Sequence, residues 1–455
     1  MAFLDDSYLI SNEAGKRIFA AIRQLPVIDP HNHADIGEIL ANENYPDLWK
    51  LLGATDHYVW EVMRKCGVAE EFVTGDRSPR EKFLALAKIM PRAVGNPVYE
   101  WLHLDLRCLG ITELMSEATG EIIWEKGLVE LARPENRPLA LLTGKLNVEV
   151  MCSTDDPADL LDRHDQVNAL AGRTLVRPTW RPDKVMNIDA PGWTEYLEKL
   201  GARFQRKLTT YSDLVDVLRL SHDYFHEHGC RASDHGVSVP PSIAARREEA
   251  EQLFRRGKDG EKLEPAQVEA FRGRILWEAA RLDAEKDWVF QYHAGAVRNV
   301  RDSLWESLGA DVGGDVCNLA QDFLPGLVRL LNAFDNKLKI VLYTLDPAQQ
   351  ATLATLTRAF GDRVRLGSAW WLCDTPIGMK RQLEYIGSVD VLWCFAGMVS
   401  DSRKLTSYGS RFEMFRRVLA DVLGNMAERG QAPEELLTDL AVHICSSGPR
   451  EFFGI

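Results

Sequence analysis

Short apolar or β-branched runs recur along the chain, each ending in polar residues suited to chemistry. They read PVID(PHNH), NVEVMCS(TDDP), TLVRP(TWRPD), GCRA(SDH), WVFQ(YHAG), LKIVLY(TLDP), RVRLG(SAWW) and VDVLWCFAGM(VSDSR). Between most of them lie charged, periodic segments such as Trp193–Phe204, Tyr211–His228 and Pro376–Ile386, whose spacing fits amphipathic helices. Buried strand alternating with helix predicts parallel βαβ units, and about eight strands is the count that closes a TIM-type (β/α)8 barrel. An open doubly wound sheet is the rival. Against it, no Gly-x-Gly-x-x-Gly follows the first run and no Walker-type loop occurs. Polar residues at the C-terminal end of nearly every run also favour strands that all point at one catalytic face.

Two stretches exceed a minimal barrel. We expect residues 1–33 to open the barrel with its first strand, 34–146 to form an α-helical insertion, and 147–455 to supply the remainder. Within that remainder, 241–287 reads as a charged, solvated helix-turn-helix excursion.

The charge balance narrows the partners. A formal net charge of -13 over 455 residues, with no block of Lys or Arg, argues against nucleic acid or an anionic membrane. No apolar run approaches the ~20 residues of a membrane span. The N-terminus lacks the basic-then-apolar order of a secretion signal. The eight cysteines are scattered without a C-x-x-C pair, which suits buried free thiols in a cytoplasmic protein.

The first run ends in His31-Asn32-His33. Residues two apart on a strand share a face, so the two imidazoles aim together. Neutral imidazoles suit Zn, Mn, Fe, Ni or Co, and two make half of a tetrahedral site. Barrel closure brings the last strand beside the first, so Asp401 in GMVSDSR can complete a site of two imidazoles and one carboxylate. Asp401 can also cap the following segment, and the two roles are compatible. Other run ends supply Arg181, Tyr292-His293, Arg298, Trp370, Trp371 and Arg403. Three arginines converging on one mouth suit a carboxylate, which the guanidinium fork binds bidentately.

In this order the motifs resemble the uronate (glucuronate) isomerase family of the amidohydrolase superfamily. The blocks are Asp29–His33, DHYVWEVMR at Asp56–Arg64, GNPVYEWLHLDLR at Gly95–Arg107 and STDDP at Ser153–Pro157. They continue with PTWRPDK, SDH, QYHAGAVRN, GSAWW and GMVSDSR, almost end to end. The resemblance implies a distorted barrel with a helical insertion. It also implies an aldose–ketose isomerase, an intramolecular oxidoreductase, that interconverts D-glucuronate with D-fructuronate and D-galacturonate with D-tagaturonate. By the same resemblance His31, His33 and Asp401 match metal-site residues. His57, Tyr58, Arg181, His293, Arg298, Trp370 or Trp371, and Arg403 match the substrate pocket.

Such a reaction moves a proton between C2 and C1 through a cis-enediol that a divalent ion, Zn2+ foremost, can stabilise. Asp401 and Tyr58 are the candidate bases, with His57 assisting; a tyrosine in that role needs a nearby cation to ionise it. A homo-oligomer is expected. Two departures stand out. Asp346-Pro347-Ala348-Gln349-Gln350 replaces the family's Asn-Pro-Arg-Asp-Asn, losing an arginine, and Arg411-Phe412-Glu413-Met414-Phe415 replaces Arg-His-Glu-Tyr-Phe. The first leaves the preferred uronate open. A mononuclear hydrolase or decarboxylase acting on a small carboxylated substrate is the alternative, although no run end offers a bridging lysine beyond Lys184.

Overall fold

Seven of the eight apolar runs form strands whose side chains are buried almost throughout, which is why they read as continuous hydrophobic stretches. The computed structural model describes residues 3–317 and 322–455. In chain order its strands are β1 (Val27–Asp29), β2 (Val148–Cys152), β3 (Leu175–Arg177), β4 (Ala232–Val237), β5 (Val289–Ala294), β6 (Ala296–Val297), β7 (Val316–Cys317), β8 (Lys339–Thr344) and β9 (Val364–Leu366). They make one parallel sheet ordered β1-β2-β3 and a second ordered β4-β5-β8-β9. A small antiparallel pair, β6-β7, was not expected from the pattern. The result is a mixed α/β fold with parallel sheets.

The fully buried Trp180 links the two sheets: it forms parallel bridges to Asp155 and to Ser233. Its backbone N–H donates to Ala232 O at 3.2 Å and its carbonyl accepts from Asp234 N at 3.0 Å. The eighth run departs from expectation. Among the described residues it forms no strand, because Leu392–Cys394 winds into a 3-10 turn and Gly397 takes φ +94°. The backbone that follows still bonds to both neighbours. Ala396 N donates to Leu366 O (3.1 Å), Asp401 N to His31 O (3.2 Å), and His33 N to Ser402 O (2.9 Å).

The intervening helices largely match their periodicity. They span Trp193–Arg203, Tyr211–Glu227 and Pro376–Val389, the second with a Thr210–Asp213 capping box. Between β1 and β2 every described element is helical. The charged stretch after β4 is a helix pair, Arg247–Lys258 and Pro265–Lys286. It is not a solvated excursion, since Phe271, Ile275 and Leu276 of the second helix join the main core. Its charges are not confined to an outer face: Glu278 and Asp283 are themselves buried, paired with Arg274 and Arg281 and with His222. All eight cysteines are free. No described helix is long and apolar enough to cross a membrane.

Candidate active site

The period of two in β4 and β5 decides what points where. Ser233 and His235 share the outer face of β4, where Ser233 Oγ lies 2.7 Å from His235 Nε2 and His235 stacks on Phe290. Asp234, between them, faces inward with His293 of β5, whose Nδ1 lies 2.7 Å from Asp234 Oδ1. Arg181 reaches the same carboxylate, Nη1 to Oδ2 at 3.2 Å, while its Nε donates to Asp183 at 2.9 Å. Although burial opposes its charge, Asp234 is held well below the usual carboxylate range by Arg181, His31 and His293. Sequence reasoning missed Asp234 as a site residue. The available signal was an acid in the middle of a buried strand.

His31 and His33 leave the end of β1 and converge on Asp401. His31 Nε2 lies 3.1 Å and His33 Nε2 3.2 Å from the same atom, Asp401 Oδ1. The indole of Trp370 donates to the other oxygen, Oδ2, at 2.8 Å. Asp401 takes φ +45°, a left-handed conformation that costs a non-glycine residue of order 1 kcal/mol. That turn directs its carboxylate back at the histidine pair. Burial works against ionising Asp401, yet hydrogen bonds from His31 and His33 hold its carboxyl well below the ordinary range. Burial also disfavours a charged His31, but Asp234 and Asp401 together raise it above its usual value. For His33 burial wins and the shift is downward.

These three donor atoms fit a divalent ion. Tetrahedral N/O coordination at ~2.0–2.1 Å places neighbouring ligand atoms roughly 3.3 Å apart, close to the spacings from Asp401 Oδ1. A second group that could take an ion, His31, Asp234 and His293, shares His31. There Asp234 is already neutralised by Arg181, and His31 Nδ1 stands 3.9 Å from its carboxylate. Mutual occupation would set a metal against a guanidinium. The first group therefore fits an ion better than the second.

A cavity of about 540 Å³ opens over this centre. Arg181, Arg298, Arg403, His57, His293, Trp370 and Trp371 all line it, so the expected arginines do converge on one mouth. Both tryptophans are also largely buried. The Arg298 guanidinium lies over the Trp371 ring at 4.7 Å and pairs with Asp315 at 2.8 Å. Arg403 faces Asp311 at 3.7 Å. An acidic wall including Asp155, Asp156 and Asp159 was not singled out from sequence. The lysine on the wall, Lys184, pairs with Asp156 at 2.9 Å and leaves no bridging lysine at the histidine pair. That argues against a binuclear hydrolase centre.

Two expectations are refined. Tyr58 does not line the large cavity; it sits behind His57, their rings stacked 4.8 Å apart. Burial pushes its phenol well above the ordinary value, and the lowering effect of Arg411 does not reverse this. The Arg411 guanidinium alone therefore does not ionise it. Burial likewise brings His57 down to about 4, so it is neutral at pH 7. Ala348, where the family arginine is missing, is exposed on the Pro347–Gln349 turn and does not line the cavity.

Comparison with known proteins agrees with this architecture. The glucuronate isomerase family profile matches residues 1–453. A uronate isomerase of Thermotoga petrophila is 46% identical over 452 residues, which cover 99% of each chain. The crystal structure of uronate isomerase from Thermotoga maritima superposes with a TM-score of 0.97 at 45% identity, covering 100% of both chains. That of glucuronate isomerase from Caulobacter crescentus gives 0.94 at 26% identity, covering 100% of this chain and 97% of the other. The chain belongs to the glucuronate isomerase family.

Proposed function

We propose that this protein is an aldose–ketose isomerase of hexuronates, converting D-glucuronate to D-fructuronate and D-galacturonate to D-tagaturonate. One observation carries the reading: two imidazoles and a carboxylate converge on a point at the floor of a cavity walled by three arginines. Full-length membership of the family supports it. His31, His33 and Asp401 are the residues that would hold the metal, which we take to be Zn2+, with Mn2+, Fe2+, Co2+ and Ni2+ suiting the same donors. When bound, such an ion acts as a Lewis acid on the C1 carbonyl and C2 hydroxyl.

The protein's own residues divide the remaining work. All three arginines face an aspartate, but Arg181 is held between Asp234 and Asp183 and is the least exposed, so Arg298 and Arg403, which stand more open, are the better clamps for the C6 carboxylate. Trp371 lies beneath Arg298 and Trp370 orients Asp401. Asp401 is ionised at neutral pH and lines the cavity, so it is placed to accept a proton from the substrate. Tyr58 keeps its proton and, stacked behind His57, supports that ring from outside the cavity. His293 holds Asp234 and closes the wall.

The fold reading follows the same lines. The two parallel sheets, the Trp180 bridges and the bonds from Ala396 and Asp401 support a closed, distorted (β/α)8 barrel, with 34–146 as its helical insertion. Free thiols throughout support a cytoplasmic setting. A homo-oligomer remains part of the reading, and light scattering would check it.

The direct test is to incubate the protein with D-glucuronate and Zn2+ or Mn2+ and to follow ketose formation. Turnover is expected; binding without turnover, or release of a hydrolysis product, would overturn the reading. Deuterium uptake at substrate C2 assigns the base. With metal content measured on each variant, an Asp401→Asn that keeps its metal should suppress exchange, and Tyr58→Phe should retain most of it.

A further inference from the structure

His57 and Tyr58 reach the site from the helical region between β1 and β2, whereas Asp401 and Arg403 come from the far end of the chain. The relative position of these two arms must be fixed by something. Behind the cavity, Lys404 directly follows Arg403, and its side chain is 6% exposed. Its ammonium pairs with Asp56 Oδ2 at 2.9 Å and Asp105 Oδ2 at 3.0 Å, and donates to Leu52 O at 3.4 Å. Two carboxylates and one carbonyl thus surround one buried ammonium.

Asp56 uses both oxygens. Its Oδ1 caps the His57–Lys65 helix by accepting from Tyr58 N (3.0 Å) and Val59 N (3.4 Å), while Oδ2 faces Lys404. Asp105 belongs to a separate helix, Pro97–Cys108, and is fully buried. Arg411 braces the same junction. Its Nη1 donates to Ser400 O at 2.7 Å, and its guanidinium lies 4.7 Å from the Tyr58 ring centre.

We propose that Lys404 is a positioning residue: through Asp56 it latches the N-terminus of the His57 helix to the segment carrying Asp401 and Arg403. It does not line the 540 Å³ cavity but a small pocket behind it, which it shares with His57, Tyr58 and Asp401, so its effect is transmitted through His57 and Tyr58. A displacement of one ångström between such arms can cost about a hundredfold in rate. This rests on the isomerase reading, and the experiment separates the two.

Lys404→Met and, as a milder variant that leaves the helix cap intact, Asp105→Asn are measured beside wild type with D-glucuronate. Folding of each is verified by circular dichroism. The expected result is a kcat lowered roughly 10- to 100-fold for Lys404→Met with KM within about threefold, and a smaller loss for Asp105→Asn. A double-mutant cycle supplies the test that a merely structural role would not pass. In a His57→Asn background, Lys404→Met should lower kcat no more than about twofold further. Full additivity, or unchanged kcat in a folded Lys404→Met, would overturn the latch. If Lys404→Met does not fold, the cycle is run with Asp105→Asn and read the same way. If wild type itself forms no ketose, the isomerase reading fails, and the latch is judged by amide hydrogen exchange at 57–60. Faster exchange there in Asp105→Asn, with β4 and β5 unchanged, supports it; equal exchange overturns it.

Discussion

Two clusters share His31 and differ in how their carboxylates are satisfied. Asp401 meets His31 and His33 through one oxygen and an indole N–H through the other, with no arginine or lysine in its ion pairs. Asp234 meets His293 and the permanent charge of Arg181, fully buried. A carboxylate facing only imidazoles can exchange those partners for a metal. One already neutralised by a guanidinium loses more than it gains. The comparison teaches that donor type alone does not define a metal centre; the charge each donor already carries decides which group is available.

His31 belongs to both clusters, so its loss has the largest expected effect. His31→Asn should lower kcat/KM by roughly a thousandfold or more and abolish stoichiometric metal in a purified, metal-loaded sample. Retained metal with lost activity would shift the weight to the Asp234 side. Asp234→Asn comes next. It leaves the three donors of the first cluster in place but frees Arg181, and an outer-position change of this kind costs about 10- to 100-fold in metal affinity or activity. Metal analysis and kinetics on one preparation would show whether Asp234 supports the centre or belongs to it, since complete metal loss would make it a ligand.

Arg298→Ala sharpens the contrast between the more enclosed Arg181 and the more open Arg298. It should raise KM for D-glucuronate about 10- to 100-fold, and neutral aldoses should be insensitive to it. An equal effect on a neutral sugar would remove Arg298 from carboxylate recognition.

The smallest effect is expected outside both clusters. Burial, then repulsion by Asp315 and Asp56, raises the Glu61 carboxyl to about 7. Its folded value exceeds the ordinary 4.5, so the folded state binds the proton more tightly. Stability from this group is therefore present at acid pH and lost as pH rises from about 4.5 to 7. Glu61→Gln should flatten that slope and stabilise the protein at pH 8 by roughly 1–3 kcal/mol. Urea unfolding at pH 5 and pH 8 measures it. An unchanged difference between the two pH values would contradict the shift.

Much of this site was legible because chemistry at strand ends leaves a mark in the sequence. His31 and His33 interrupt an apolar run, and Asp401, Arg181, Arg298 and Trp370 follow others, so pattern and position coincide. Asp234 was not legible as a site residue because it lies inside β4, where its inward direction depends on the strand register. The eighth run looked like a strand since its residues are apolar, but the 3-10 turn at Leu392–Cys394 and the positive φ of Gly397 and Asp401 are backbone choices that hydrophobicity does not report. The burial of the Pro265–Lys286 helix was masked by its charged residues, of which Glu278 and Asp283 are buried in ion pairs that the sequence does not report. Tyr58 was adjacent in sequence to His57, yet helix geometry turns one to the cavity and the other behind it.

The central claim is that one divalent ion is held by the first and last chain segments of the fold. Anomalous diffraction from crystals grown with one equivalent of Zn2+ tests it most directly. The account predicts a single peak within about 2.0–2.2 Å of His31 Nε2, His33 Nε2 and Asp401 Oδ1. A peak between Asp234 and His293, with Arg181 displaced, would contradict it.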